Sequence, residues 1–300
     1  MAIKNKKIYI AGAGGMLGNA FYEHFKKNNH LECSDKDKNE HWLKELDFTF
    51  TNKYFEEVKN FNPDYLFHIG AITSLEECEL NQDLAYKTNY LAVEDACKLS
   101  NYLKIPLIYI STAGIFDGKK DFYNDWDLPN PLGVYAHSKF LGEQTVINNA
   151  HQPYVFRAGW MMGGGPEKDK KFINKIIKQI KEGATTLNIV NDKFGTPTYT
   201  HDFVKNIDLV LDNELCGIYN LVCEGVTSRA DVTEEILKVL KLSKKISINL
   251  VNSDYFKKEY FAPRPYSERL INKKLNLRNL NIMRDWKVCL SEYLKTNYKI

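Results

Sequence analysis

The chain has 300 residues, 44% of them hydrophobic and 26% charged, with a formal net charge of +3, ordinary values for a globular protein of one large domain or a major domain with a smaller one. So small a charge, carried by widely scattered lysines, argues against nucleic acid as a partner, and no apolar run approaches the length of a membrane span. Six cysteines without a C-x-x-C pair and seven scattered histidines predict reduced thiols in a cytoplasmic protein, and no metal site.

The amino terminus runs at once into an apolar strand at 7–11, so no signal peptide is expected. Gly12-x-x-Gly15-x-x-Gly18 follows and leads into a helix over 16–27. A second strand at 30–34 ends against Asp35, and a third at 64–71 opens after Pro63. Across 82–103 the apolar stripe Leu84, Ala92, Ala96, Leu99, Leu103 has helical spacing. Residues 106–110 (Pro-Leu-Ile-Tyr-Ile) form the nearly continuous apolar run of a strand buried on both faces. A polar loop at 117–133 precedes a helix carrying Tyr135, and 153–157 is the next strand. This alternation predicts an α/β fold, a doubly wound parallel Rossmann sheet with ligands at the carboxyl ends of its strands. After Gly159 come a basic amphipathic helix at 170–182, strands near 187–190 and 217–222, a helix near 228–241, a strand near 246–251 and a final helix ending near 294. The expected partition is a dinucleotide-binding domain over 1–158 with a return segment near 187–225. A smaller carboxyl-terminal substrate-binding lobe would take 159–186 and 226–300.

Three patterns carry the chemistry, and each alone arises by chance. In the glycine loop, Gly12 makes the tight turn after the strand, Gly15 lets a pyrophosphate approach, and Gly18 packs the helix on the sheet. The amides of Met16 and Leu17 would face the phosphates. Asp35, 23 residues beyond Gly12, stands near the spacing at which a carboxylate reads a ribose 2′-hydroxyl. Lys36 and Lys38 could instead neutralise a 2′-phosphate, so NADH and NADPH both remain candidates. Tyr135-Ala-His-Ser-Lys139 sets a phenol and an ammonium on one helical face. The lysine is expected to favour the phenolate and to reach the nicotinamide ribose. Thr112, ending the buried strand 23 residues before Tyr135, would hold the substrate oxygen. The bland readings are a packing turn, a solvated Tyr–Lys face and a solvated Asp. For Lys171 and Lys175 the choice lies between a solvated face and steering of an anionic substrate. For Trp160 it lies between a core residue and a pocket wall.

On these residues the chain resembles an extended short-chain dehydrogenase/reductase, and specifically the dTDP-4-dehydrorhamnose reductase family. The similarity runs through Gly12-Ala-Gly-Gly-Met-Leu-Gly18, Leu46-Asp47-Phe48, Ala71-x-Thr73, Glu77-Cys78-Glu79, Asn89, Ile110-Ser-Thr112, Phe116-Asp-Gly118, Tyr135…Lys139 and Phe156-Arg-Ala-Gly-Trp160. It continues through Asn191-Asp-Lys-Phe-Gly195-x-Pro197-Thr198 and Ala262-Pro-Arg-Pro265. The resemblance implies NADPH or NADH along Gly12, Gly15, Met16, Leu17, Gly18, Asp35, Asp47, Phe48, Ala71, Ile72, Thr73, Tyr135 and Lys139. It implies catalysis by Thr112, Tyr135 and Lys139, and a nucleotide sugar held by Thr73, Thr112, Ala113 and Trp160; a homodimer is compatible with it. One departure stands out. Where the family usually reads Ser-Thr-Asp-Tyr-Val-Phe, this chain has Ser111-Thr112-Ala113-Gly114-Ile115-Phe116. The Asp-Tyr pair normally lines the sugar pocket, and Ser-Thr-Ala-Gly resembles the segment of nucleotide-sugar epimerases and dehydratases.

The expected activity is therefore NAD(P)H-dependent reduction of a nucleotide-activated 4-keto-6-deoxy sugar in polysaccharide biosynthesis. The rivals are an epimerase or dehydratase that recycles its cofactor, and a catalytically silent dinucleotide-binding regulatory subunit.

Overall fold

A computed structural model describes residues 3–298. Its centre is a seven-stranded sheet in which every pairing is parallel. The strands are β1 (Lys7–Ala11), β2 (His30–Asp35), β3 (Leu43–Glu45), β4 (Tyr65–His68), β5 (Pro106–Thr112) and β6 (Gln152–Ala158), with Gly217–Asn220 beyond β6. The spatial order β3-β2-β1-β4-β5-β6 reverses direction between β1 and β4, and that switch point opens the crevice in which such sheets bind ligands.

Both faces of the sheet are covered. Along β1, Ile8 and Ile10 enter one apolar cluster with Phe21, Phe25, Phe67 and Phe156, while Tyr9 and Ala11 enter the other with Tyr54, Leu66, Leu99 and Tyr109. The alternation of side chains along a strand makes this two-sided burial possible.

The second lobe is built from short pieces. Trp160–Met162 pairs with Pro197–Tyr199, and Phe194–Gly195 pairs with both Thr227–Ser228 and Ser267–Glu268. Thr186–Val190, expected to return to the main sheet, pairs instead with Ser247–Val251. Among the described residues the return to the main sheet is made by Gly217–Asn220. Strand β4 is shorter than the 64–71 strand expected, ending at His68 and leaving 69–74 without regular structure. No helix among the described residues is long and apolar enough to cross a membrane.

Candidate active site

At the switch point the backbones after β1 and β4 nearly touch. The Ile69 and Gly70 amides donate to the Ala11 carbonyl, and those of Gly12 and Ala13 donate to Ser34. Gly12 has φ +81°, and a Cβ there would lie 2.1 Å from the Gly70 Cα, so only glycine fits. Gly18 is equally constrained, its hypothetical Cβ being 2.2 Å from the Ala13 carbonyl oxygen, which sets the close packing of helix Met16–Phe25. Gly15 is different: a Cβ there would meet nothing within 4 Å. Gly15 caps the helix without a side-chain hydrogen bond, leaving an open space before an uncapped amino terminus that suits a pyrophosphate.

The carboxylate expected to read the ribose, Asp35, lies next to the glycine loop. Asp35 Oδ2 accepts from the Gly14 amide at 2.8 Å, while Lys36 and Lys38 are exposed. Asp47 turns its carboxylate to the Thr49 amide (2.9 Å). The buried Phe48 ring lies against Gly70 and, edge-on, 4.7 Å from His68. The described residues thus form a cradle of the shape and polarity a nicotinamide dinucleotide needs.

Helix Val134–Asn149 brings the phenol to the crevice. Its cap, Gly133, supplies no side chain, and Glu79 takes over by accepting from the Val134 amide at 2.8 Å, a favourable placing of negative charge at a helix start. Asn89 lies on a π-helical turn, Lys87–Leu91, inside what the sequence read as one regular helix. Its side chain bonds both the Ile72 amide (2.9 Å) and carbonyl (3.1 Å) and the Ser138 hydroxyl (3.2 Å), so it ties the β4 exit to the Tyr135 helix. Such π-turns often mark functional sites.

Tyr135 and Thr112 are brought together through their hydroxyls, and Thr112 also accepts from the Gly114 amide at 3.1 Å. Burial raises the Tyr135 phenol to about 12; the Thr112 bond opposes this, and Cys78 and Glu268 reinforce it. Lys139 is 4% exposed and its ammonium lies 4.0 Å from the centre of the Tyr109 ring. Burial lowers it to about 7, against the pull of Glu143. The expected lowering of the tyrosine by its lysine is therefore not what this structure shows. Desolvation is the largest cause for both groups.

A small cleft of about 40 Å³ adjoins Tyr135, lined among others by Gly114, Leu132, Pro263 and Glu268. Ala113 does not serve as its wall. It is 1% exposed and packs with Ile115, Phe116, Tyr123, Val222 and Leu270, leaving Gly114 at the surface of the cleft. Trp160 lies flat on Gly195, where a Cβ would stand 2.2 Å from the ring, and donates its indole N–H to Glu268 at 2.8 Å. The Arg229 guanidinium covers the indole at 3.6 Å. Thr73 is exposed, and its hydroxyl accepts from Lys171 at 3.0 Å, a contact that crosses from one lobe to the other.

The family model described as RmlD substrate binding domain matches residues 6–299. A crystal structure of the dTDP-4-dehydrorhamnose reductase from Yersinia enterocolitica superposes with a TM-score of 0.87 at 31% identity, covering 97% of this chain and 99% of that one. The chain belongs to the dTDP-4-dehydrorhamnose reductase family. The Bacillus anthracis dTDP-4-dehydrorhamnose reductase, solved in complex with NADP, gives a TM-score of 0.88 at 25% identity over 98% of this chain and 100% of its own. The spore coat polysaccharide biosynthesis protein SpsK of Bacillus subtilis is 26% identical over 96% of this chain and 97% of its own length.

Several residues of this family member escaped the sequence reading. Lys168 bonds the Gly14 carbonyl (3.3 Å) and pairs with Glu40 (2.8 Å), closing one side of the glycine loop. Arg264 pairs with Glu76 at 2.7 Å across the cleft. Arg229 and Glu268 carry no motif spacing that could have flagged them. The late Ala262-Pro-Arg-Pro265 segment was the single nearby signal.

Proposed function

We propose that this chain reduces a nucleotide-activated 4-keto-6-deoxy sugar with NADPH or NADH. The observation that carries the reading is the meeting of the Thr112 and Tyr135 hydroxyls beside the open glycine-loop crevice, with Lys139 buried behind them. When bound, the reduced nicotinamide dinucleotide supplies the hydride. Thr112 and Tyr135 hold the carbonyl oxygen between two hydroxyls. Because burial keeps its phenol raised, Tyr135 is protonated at neutral pH and gives that proton to the oxygen as negative charge develops there. Lys139, four residues on, holds the nicotinamide ribose.

A nucleotide handle is supported by a group of cations in the second lobe. Lys175 donates to the Tyr260 hydroxyl at 2.8 Å, and Lys175 and Arg229 both act electrostatically on Lys171. Arg229 in turn is lowered to about 10 by burial, with Glu268 opposing and Arg264 adding to the fall. Asp169 and Glu268 offset only part of the charge on Lys171 and Arg229, while Arg264 is already paired with Glu76; a diphosphate is the further anion a sugar nucleotide brings.

The test is consumption of NADPH or NADH on addition of dTDP-4-keto-6-deoxy sugars. Stoichiometric oxidation supports the reductase. Turnover without net oxidation supports an epimerase or dehydratase, and nucleotide binding without turnover supports a silent subunit.

A further inference from the structure

Of the carboxylates at the cleft beside Tyr135, Glu79 is already committed to the Val134 amide. Glu268 is held differently. It ends the short strand Ser267–Glu268, in register with Gly195. Gly195 admits the Trp160 indole, and the indole N–H fixes Glu268 Oε2 at 2.8 Å. The other oxygen, Oε1, is turned toward Gly114, where a Cβ would lie 3.4 Å from it and equally 3.4 Å from the Thr112 hydroxyl oxygen. The carboxylate therefore stands over the place a side chain at 114 would fill, within the electrostatic reach of Tyr135. Glycine, indole and carboxylate form one unit that locks an acceptor in a defined position, the kind of support that makes a site selective.

We propose that Glu268 is a specificity-determining residue, its Oε1 accepting a hydrogen bond from a ring hydroxyl or amino group of the sugar whose carbonyl lies at Thr112 and Tyr135. This rests on the function proposed above and names the substrate class more closely: a nucleotide 4-keto sugar with a hydrogen-bond donor beside the carbonyl. The wall left without a side chain at Gly114 gains an acidic group from a different lobe. A carboxylate can only accept, so a sugar lacking the donor leaves it desolvated and unpaired, which penalises the wrong substrate far more than a lost apolar contact does.

Glu268→Gln tests this cleanly. The indole N–H still needs an acceptor, so the amide oxygen turns to Trp160 and the amide nitrogen faces the cleft. The variant thereby presents a donor where the wild type presents an acceptor, at nearly unchanged volume. The probes are dTDP-4-keto-6-deoxyglucose, its 2-deoxy and 3-deoxy analogues and the 3-amino analogue, with kcat and KM measured for each. The wild type is expected to favour one hydroxylated probe over its deoxy analogue. Glu268→Gln should lose roughly 10- to 100-fold in kcat/KM on that probe, mainly through KM, while staying within a few-fold on the deoxy analogue. Comparing the hydroxyl and amino probes shows which donor is preferred. Glu268→Asp, which keeps an acceptor at shorter reach, should retain part of the discrimination. KM for NADPH should not move in either variant, and the melting temperature should fall only modestly, because the carboxylate also faces the buried Arg229. A loss that is equal on all probes, or discrimination undiminished in Glu268→Gln, overturns the proposal while leaving the reductase reading intact. A wild type that turns over none of the probes removes the reductase reading and this inference with it.

Discussion

Replacing Lys139 by methionine should stabilise the cofactor-free protein while abolishing useful activity. The lysine is 4% exposed, and its side chain lies over the Tyr109 ring; methionine keeps most of that apolar packing and drops the charge. Holding the group at about 7 against its ordinary 10.5 corresponds to a native-state penalty of roughly 4 kcal/mol at pH 7, taking ~1.4 kcal/mol per pH unit of displacement. The sign follows from proton counting. Between about pH 7 and 10.5 the unfolded chain still carries the lysine proton and the folded chain has lost it, so raising the pH through this window stabilises the wild type. The penalty is fully present below 7 and gone above 10.5. Urea unfolding of both proteins without cofactor, at pH 6.5, 8 and 10, reads the difference directly. Lys139→Met should be the more stable by a few kcal/mol at the lowest pH, with the gap closing steadily as pH rises. A wild type that is more stable at pH 6.5, or a gap that does not change with pH, refutes the reasoning. The lysine would then be neither desolvated nor a functional residue kept at a cost in stability.

Three further substitutions probe other parts of the account. Tyr135→Phe should keep the fold and bind NADPH but lose on the order of 10²–10⁴-fold in turnover; turnover within a few-fold of wild type removes the phenol as proton donor. Asp35→Ala removes the acceptor of the Gly14 amide and a negative charge beside the ribose site, so the ratio of kcat/KM values should shift toward NADPH; an unchanged ratio means that Asp35 does not read the ribose. Arg157→Met should destabilise by about 3–5 kcal/mol, because Glu143, 0% exposed, loses both hydrogen bonds of a bidentate pair at 2.6 and 3.0 Å; a loss below about 1 kcal/mol in urea unfolding would show that the pair is not needed to bury Glu143.

Local pattern explains what the sequence made legible. Gly12, Gly15 and Gly18, the i,i+4 pair Tyr135 and Lys139, and the two-sided apolar run ending at Thr112 are short-range signals, and they mark the crevice and the phenol. What remained hidden depends on contacts between distant segments. Nothing around 187–190 says that its partner is 247–251 rather than the main sheet. Leu84 has helical spacing with Ala92 and Ala96, yet it is 46% exposed, because the π-turn at Lys87–Leu91 rotates the helix out of register. Ala113 and Gly114 read as one gap in the wall, whereas the 3-10 turn over Ala113–Ile115 packs Ala113 into an apolar cluster and leaves Gly114 lining the cleft. Glu268 acquires meaning through Trp160, Gly195 and Gly114, all more than 70 residues away. The sequence placed Tyr135 and Lys139 on one face but could not weigh burial against charge, and burial prevailed for both.

In the proposed reaction, hydride passes to a sugar carbonyl while Tyr135 supplies the proton. This transfer is tested most directly by incubating the protein with a dTDP-4-keto-6-deoxy sugar and NADPH deuterated at the transferring position of the nicotinamide, then locating the label by mass spectrometry and NMR. One deuterium is expected on the sugar C4 for each NADPH oxidised, with ordinary hydrogen on the new hydroxyl in water. Product formed without deuterium at C4 and without net loss of NADPH would contradict it.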